Sequence, residues 1–271
     1  MIFDTHAHYD DEQFDGDRDE LLTRLHREGI VNLVNVGYSK SSIVSTHALA
    51  DRYDFIYEAL GFHPDETWEM EQEEETILPW LREQLARPKA VAVGEIGLDY
   101  YWDKTPREVQ RKWFRRQLDL ARELHLPVVI HSREAAQDTM DILREMGEGL
   151  TLDMHCYSYS LEMAKDYLNM GYYLGVGGVI TFKNARKLKE VVEYMPLERI
   201  LLETDCPYLA PVPFRGKRND SGKIPLVIDV IAQIKGLERE QIEEVCLENA
   251  RRFYGIKDKS SGLESEAKSH S

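Results

Sequence analysis

The sequence predicts an α/β protein of the (β/α)8 barrel (TIM barrel) class, and three observations point there. Eight short, β-branched apolar runs recur along the chain. Nearly all are followed by longer segments with helical periodicity. Side chains able to do chemistry gather at the C-terminal ends of the runs, the end at which a parallel barrel builds its working face. A doubly wound open sheet is the rival. It would carry a Gly-rich turn after its first strand, and DTHAHYDD (4–11) contains no glycine.

In chain order, IFDTH (2–6) is the first run, and IVNLVNVG (30–37) follows Gly29, which stands where a helix would stop. FIYEALGFH (55–63) and AVAVGE (90–95) come next. In QRKWFRRQLDLAREL (110–124), Phe114, Leu118 and Ala121 share one helical face while arginines and a lysine take the other, and PVVIH (127–131) follows. Gly147 ends another helical pattern before LTLDMH (150–155), and YYLGVGG (172–178) and RILLETD (199–205) complete the set. Runs of this length and composition read as strands buried on both faces. Residues 1–256 are expected to form one domain, and 257–271 (KDKSSGLESEAKSHS), which lose their apolar content, a disordered tail.

Composition limits the function. With 42% apolar and 31% charged residues, and no apolar run long enough to cross a bilayer, a soluble protein without membrane contact is expected. Charged DDE and DGDRDE segments follow the first strand at once, so no signal peptide is expected. Cys156, Cys206 and Cys246 are scattered, which favours a reducing, cytoplasmic setting over a disulfide framework. A net charge of −15 argues against loose, charge-driven binding of nucleic acid, though not against a local basic track or a metal site that takes phosphate.

The nine histidines divide by position. His26, His47 and His125 fall in helical patterns and His270 in the tail, where solvated or partly packed side chains are expected. His6, His8, His63, His131 and His155 stand at or just past strand ends, with Glu95 and Asp205. One strand-end histidine is ordinarily a satisfied polar group. Seven titratable groups converging without a compensating cation would suffer desolvation and mutual repulsion. Imidazole mixed with carboxylate suits Zn²⁺, Mn²⁺ or Fe²⁺, and Mg²⁺ where imidazoles are fewer. The donors outnumber the needs of one four-coordinate ion, and Glu95 is placed to bridge two.

DTHAHYD, GFHPDE, VGEIGLDYY, PVVIHSREA, MHCYS, LLETDCPYLAPVPFRGKRN and ENARRFYG together resemble the TatD-type metal-dependent deoxyribonucleases of the amidohydrolase superfamily, over about Ile2 to Tyr254. The resemblance implies two divalent ions (Mg²⁺, Mn²⁺ or Zn²⁺). His6, His8 and Asp205 would bind one, His131 and His155 the other, and Glu95 would bridge. It also implies a catalytic part for Glu203, on the same strand face as Asp205, and a substrate or phosphate contact for His63. Arg133 and Arg215 are candidate phosphate contacts, a surface salt bridge being as good a reading of each. Tyr100, with Tyr101 and Trp102, is a candidate stacking surface after Glu95. The implied activity is hydrolysis of DNA by a 3′-to-5′ exonuclease acting on single strands, with metal-bound hydroxide attacking phosphorus and Asp205 taking the water's proton; a monomer is expected.

One departure stands out: the chain reads KRNDSGKIPL where family members often continue KRN with an acid and a proline, which leaves the loop beside the site open. KTPREVQRKWFRR (104–116) reads as a solvated basic helix face, and PDETWEMEQEEE (64–75) as a solvated acidic segment. Cys156 and Cys206 each adjoin a proposed ligand, and strand alternation turns both away as packing residues. Two other functions stay in view. The same metals could serve another ester, such as that of a D-aminoacyl-tRNA, which a charge of −15 favours modestly. A non-enzymatic scaffold would have eroded ligands, and all six positions here are competent.

Overall fold

The computed structural model describes residues 1–102 and 104–257; Asp103 and all of the expected tail except Lys257 lie outside the described residues. Eight strands, β1 (Ile2–Ala7), β2 (Ile30–Gly37), β3 (Ile56–Leu60), β4 (Ala90–Asp99), β5 (Val128–Arg133), β6 (Leu152–Met154), β7 (Tyr173–Val176) and β8 (Ile200–Leu202), pair in parallel in sequence order. The ring closes just past β8, where His8 N donates to Cys206 O (2.8 Å) and Asp205 N to His6 O (3.0 Å). This is the (β/α)8 barrel the sequence predicts.

Around it lie α1 (Arg18–Arg27), α2 (Lys40–Arg52), α3 (Thr67–Gln72), α4 (Ile77–Leu85), α5 (Arg107–Leu124), α6 (Ala136–Met146), α7 (Leu161–Asn169), α8 (Arg186–Tyr194), α9 (Ile224–Lys235) and α10 (Arg239–Tyr254). Among the described residues no helix is long and apolar enough to cross a membrane. The helical face Phe114, Leu118 and Ala121 is buried, as its spacing requires. Most apolar side chains fill the layer between helices and strands.

A second cluster draws Phe3, Val34, Val129, Tyr173 and Leu201 from strands around the ring, together with Leu247, Ala250, Phe253 and Tyr254 of α10. Side chains from strands all around a ring can meet only inside it, so α10 closes the N-terminal end of the barrel.

Four expected strands stop early, and that matters for the site. His63, His155 and Asp205 stand in loops beyond β3, β6 and β8, and His63 caps a short 3-10 turn begun by Pro64. The acidic segment after His63 is not simply solvated. Glu71 accepts from Lys112 Nζ and Trp113 Nε1, and Glu74 pairs with Lys112 and Arg116, so α3 and the turn after it neutralise much of the basic face of α5. The departed loop is tied down without the expected proline: Asn219 donates to Thr204 O (3.0 Å), Ser221 to Asp4 (2.7 Å), and Arg218 pairs with Asp17.

Candidate metal centre

Two β-bulges aim the first ligands. From Asp4 to Ala7, β1 advances three residues while β2 advances two, from Leu33 to Asn35. From Val93 to Ile96, β4 likewise gains a residue on β5. Each extra residue lies beside a candidate ligand, His6 or Glu95, and a bulge there redirects the side chain toward the barrel mouth. Asp4, buried beneath, accepts from Thr204 N and Oγ1 and from His6 N, pinning β1 to the chain that follows β8. Beyond the bulge on β4, Gly97 is forced: a Cβ there would lie 1.9 Å from His131 O.

The imidazoles converge. His6 Nε2 lies 3.2 Å from His8 Nε2, and the His6 ring stacks on His155 at 3.5 Å between centroids. Glu95 divides its oxygens: Oε1 lies 2.6 Å from His131 Nδ1, and Oε2 lies 3.4 Å from His6 Nε2. Asp205 Oδ1 stands 3.4 Å from His8 Nε2 and 3.8 Å from His155 Nε2.

Behind this layer, three histidines have their other nitrogen held by an acceptor. His8 Nδ1 faces Val36 O (3.2 Å), His155 Nδ1 faces Glu203 (2.8 Å) and His131 Nε2 faces Asp99 (2.9 Å). With a proton fixed on the held nitrogen, the other presents a lone pair to the cluster, the usual outer-layer arrangement of a metal site. His6 Nδ1 is buried with no partner.

The electrostatics call for a cation. The partners of Glu95, Asp99, Glu203 and Asp205 at the cluster are imidazoles and backbone N–H groups. Burial works against the charge on Glu95, yet His131 and His6 hold its carboxyl well below the usual range. Asp205 is likewise held low against burial, by His8, His155 and His6. Burial also opposes charge on the histidines, but Asp205 and Glu95 lift His8 to about 9, Glu95 and Asp99 lift His131 to about 9, and Glu203, Glu95 and Asp205 lift His155 to about 10. Protons here supply the positive charge the carboxylates require. Donor atoms of His6, His8 and Asp205, and of His63, Glu95 and His131, lie within 4.8 Å of one another in each group. The residues present therefore fit divalent metal.

His63 behaves differently. Burial and His131 depress it to about 3, and its Nδ1 accepts from Asp65 N (3.2 Å), which leaves Nε2–H as a donor toward the cavity.

The cavity over the cluster has a volume of about 730 Å³ and is lined by His8, His63, Glu95, His131, His155 and Asp205, with Arg133, Lys104, Trp102 and Tyr208 at its sides. Three expected positions fall elsewhere. Glu203 does not share a face with Asp205, because β8 has ended and Asp205 adopts a left-handed backbone (φ 55°). It turns instead behind His155, also accepting from Cys156 N (2.8 Å), in space that Gly175 leaves free: a Cβ there would come 2.3 Å from its carboxylate. Tyr100 bonds Asp138 (2.6 Å) outside the cavity. Arg215 lies over Phe182 at 4.3 Å, in a separate groove.

Cys156 lines the cavity rather than turning away, since β6 stops at Met154 and the residue is left-handed (φ 47°). Burial, then Glu203, Asp205 and Glu95, push its thiol well up, so it offers no thiolate. Asp99 is not among the residues the sequence singles out, although its place four residues after Glu95 on one strand puts both on one face. Gln110 of α5 holds that position by bonding both Asp99 N (2.8 Å) and Asp99 O (3.0 Å).

Similarity to known proteins agrees with this geometry. Residues 3–255 match the family described as TatD related DNase. The chain is 44% identical to the uncharacterized metal-dependent hydrolase YabD of Bacillus subtilis, over 94% of this chain and 100% of that protein. The crystal structure of YjjV, a TatD homolog from Escherichia coli K12, superposes with a TM-score of 0.87 at 32% identity, covering 94% of this chain and 98% of that one. A TatD family hydrolase structure from Entamoeba histolytica, 24% identical, shares the fold with a TM-score of 0.84, over 93% of this chain and 97% of that one. The chain thus belongs to the TatD-related DNase family of metal-dependent hydrolases.

Proposed function

We propose that this protein is a metal-dependent phosphodiesterase that removes nucleotides from the end of a DNA strand. The observation that carries this reading is the divided carboxylate of Glu95, one oxygen toward His131 and the other toward His6. It supports two adjacent ion positions: His6, His8 and Asp205 at one, His131 and His155 at the other, and Glu95 between. Divalent ions bound there would supply the charge that acidifies water and offsets that of a phosphodiester.

The chain's own side chains supply the rest. Asp205 is ionised and, at 20% side-chain exposure against 6% for Glu95 and 0% for Glu203, is the most open of these carboxylates to the cavity. It is the proton acceptor in this reading. His63 donates from Nε2 to a phosphate oxygen, and Glu203 and Asp99 act by holding His155 and His131. Arg133, 3.9 Å over the Tyr101 ring, and Lys104, 5.9 Å over Trp102, set cations beside exposed aromatic faces, a pairing that suits a backbone and its bases.

A cavity of about 730 Å³ has the size of a site for a strand end rather than for a length of duplex, which favours exonuclease action on single strands. The 3′-to-5′ direction rests on the resemblance of the motifs. Three free cysteines accord with a cytoplasmic enzyme, and a monomer suffices because one chain supplies every candidate ligand.

The test is digestion of 3′- and 5′-labelled single-stranded DNA with Mg²⁺ or Mn²⁺, beside metal analysis and a parallel D-aminoacyl-tRNA assay. The expected outcome is a ladder from the 3′ end and two metal equivalents per chain, both lost in Glu95→Ala. Intact DNA with the wild type, or an undiminished ladder with Glu95→Ala, would falsify the reading; hydrolysis of the aminoacyl ester alone would transfer the site to that substrate.

A further inference from the structure

We propose that a second, distal phosphate-binding groove leads away from the catalytic cavity and holds the backbone of the strand whose end is being hydrolysed. This rests on the nuclease reading above and adds a place for the rest of the substrate.

The groove belongs to the same two loops that wall one side of the cavity. The loop after β7 lines the cavity with Val179, and the loop after β8 lines it with Tyr208 and Leu209. Farther along, these loops line a separate groove of about 630 Å³ with Lys183 and Asn184 from the first, and Val212, Pro213 and Arg215 from the second. Val212 N donates to Thr181 Oγ1 (2.9 Å), so the loops are joined between the two sites. Lys183 stands four positions beyond Val179, and Val212 three beyond Leu209. At no more than about 3.5 Å per residue, the groove begins within roughly 10–14 Å of the cavity wall. Three or four nucleotides at about 3.4 Å each span that distance.

Its charge is unusual for this molecule. The basic residues of α5 are largely spent on carboxylates: Arg111 on Asp138, Lys112 on Glu71, Arg115 on Glu145 and Arg116 on Glu74. Lys183 and Arg215 are both exposed, and neither makes an ion pair among the described residues. Lys183 also faces an adjoining depression of about 350 Å³ that holds Lys189, Arg186, Glu190 and Glu193, where Arg186 is paired with Glu190 (2.8 Å). A chain with net charge −15 repels a polyanion except where cations stand unpaired.

Aromatic faces select nucleic acid over an acidic protein. Arg215 lies over Phe182, the Tyr208 ring, 50% exposed, stands at the cavity wall, and Phe214, 37% exposed, sits between the groove residues Pro213 and Arg215 in the chain. Cations for phosphates interleaved with rings for bases are the features of a strand-tracking surface.

The test uses the full, metal-loaded chain and its Lys183→Glu and Lys183→Glu/Lys189→Glu variants. KM and kcat are measured on single-stranded DNA of about twenty nucleotides and on a dinucleotide, too short to span from cavity to groove. The expected result is a KM for the long strand raised about tenfold, with kcat and the short-substrate KM unchanged. The log–log salt dependence of binding should also be shallower by about 0.7 for each phosphate the variant no longer neutralises. Equal effects on both lengths, or none on either, overturn the groove.

Binding of a fluorescent long strand to Glu95→Ala, with and without Lys183→Glu, separates this from failure of the nuclease reading. Weaker binding on charge reversal, in an enzyme whose wild type cleaves no DNA, keeps the groove and removes the nuclease. Competition by polyglutamate as strong as by DNA overturns the assignment to nucleic acid.

Discussion

The two ends of this barrel are made by the same eight strands and are built on opposite principles. At the N-terminal end, Phe3 stacks with Tyr254 at 5.8 Å and Tyr254 meets Phe253 edge-on at 4.8 Å, in a buried apolar plug. Three residues farther along β1, His6 enters a cluster of imidazoles and carboxylates whose lone pairs face one another. The first arrangement stabilises the fold by removing apolar surface from water. The second is satisfied only when positive charge arrives. The ends come closest where Tyr254 Oη donates to Thr5 O (2.8 Å), so stability and chemistry lie about one residue apart along one strand. A barrel can carry a frustrated mouth because its other end is sealed by a helix that takes no part in the site.

The sharpest way to break this contrast is to open the sealed end. Phe253→Ala removes a buried ring and should cost about 3–5 kcal/mol in urea unfolding. Metal content and kcat of the folded fraction should not change. A parallel fall in bound metal would mean that the plug also shapes the mouth, and the division would be lost.

A smaller effect is expected behind the ligands. In Glu203→Gln the side chain keeps its size, but its neutral amide no longer supplies the charge that holds His155. Metal affinity should fall about 10- to 100-fold, with unfolding free energy in the presence of excess metal nearly unchanged. Because Glu203 is a positioning residue in this arrangement, the loss should be recovered in part at higher metal concentration. A lower kcat at saturating metal, with affinity intact, would instead place Glu203 against the reacting atoms.

How much of each end was legible in the sequence follows from the same contrast. The strands announced themselves as apolar runs, and the histidines were conspicuous because imidazoles at several strand ends have no structural purpose in common. The lower plug was harder to see, since Phe253 and Tyr254 read as ordinary residues of an amphipathic helix until the ring places them inside it. Misplaced residues trace to backbone that leaves the strand pattern. Alternation put Glu203 and Asp205 on one face, but a left-handed residue separates their directions. The sequence offers Tyr100 as an aromatic contact, whereas the turn after β4 sends Trp102 to the cavity and Tyr100 to Asp138. Asp99 could have been found by extending β4 four residues past Glu95. The acidic and basic tracts read as solvated because nothing in a single sequence says that α3 lies against α5.

The mildest test concerns proton and metal competing for the mouth while the sealed end stays indifferent. His8, His131 and His155 have folded values of about 9, 9 and 10, above the ordinary imidazole value near 6.5. A group raised on folding contributes stability that is complete below its unfolded value and disappears as pH climbs through its folded one. Protein stripped of metal should therefore lose stability between about pH 6.5 and 9–10, as the protons that neutralise Glu95, Asp99, Glu203 and Asp205 depart. Metal binding displaces those same protons, so its affinity should rise over the same interval. Scans of stripped and loaded protein should give melting temperatures that lie close at pH 6.5 and separate toward pH 9, by a few degrees, the scale on which about 1 kcal/mol moves a domain of this size. Glu95 and Asp205, held low on folding, act in the other direction: their contribution is present at neutral pH and is lost only on acidification, so they cannot mask the alkaline change. A stripped protein as stable at pH 9 as at pH 6.5 would show that the mouth is content without a cation, and the opposition between the two ends would collapse.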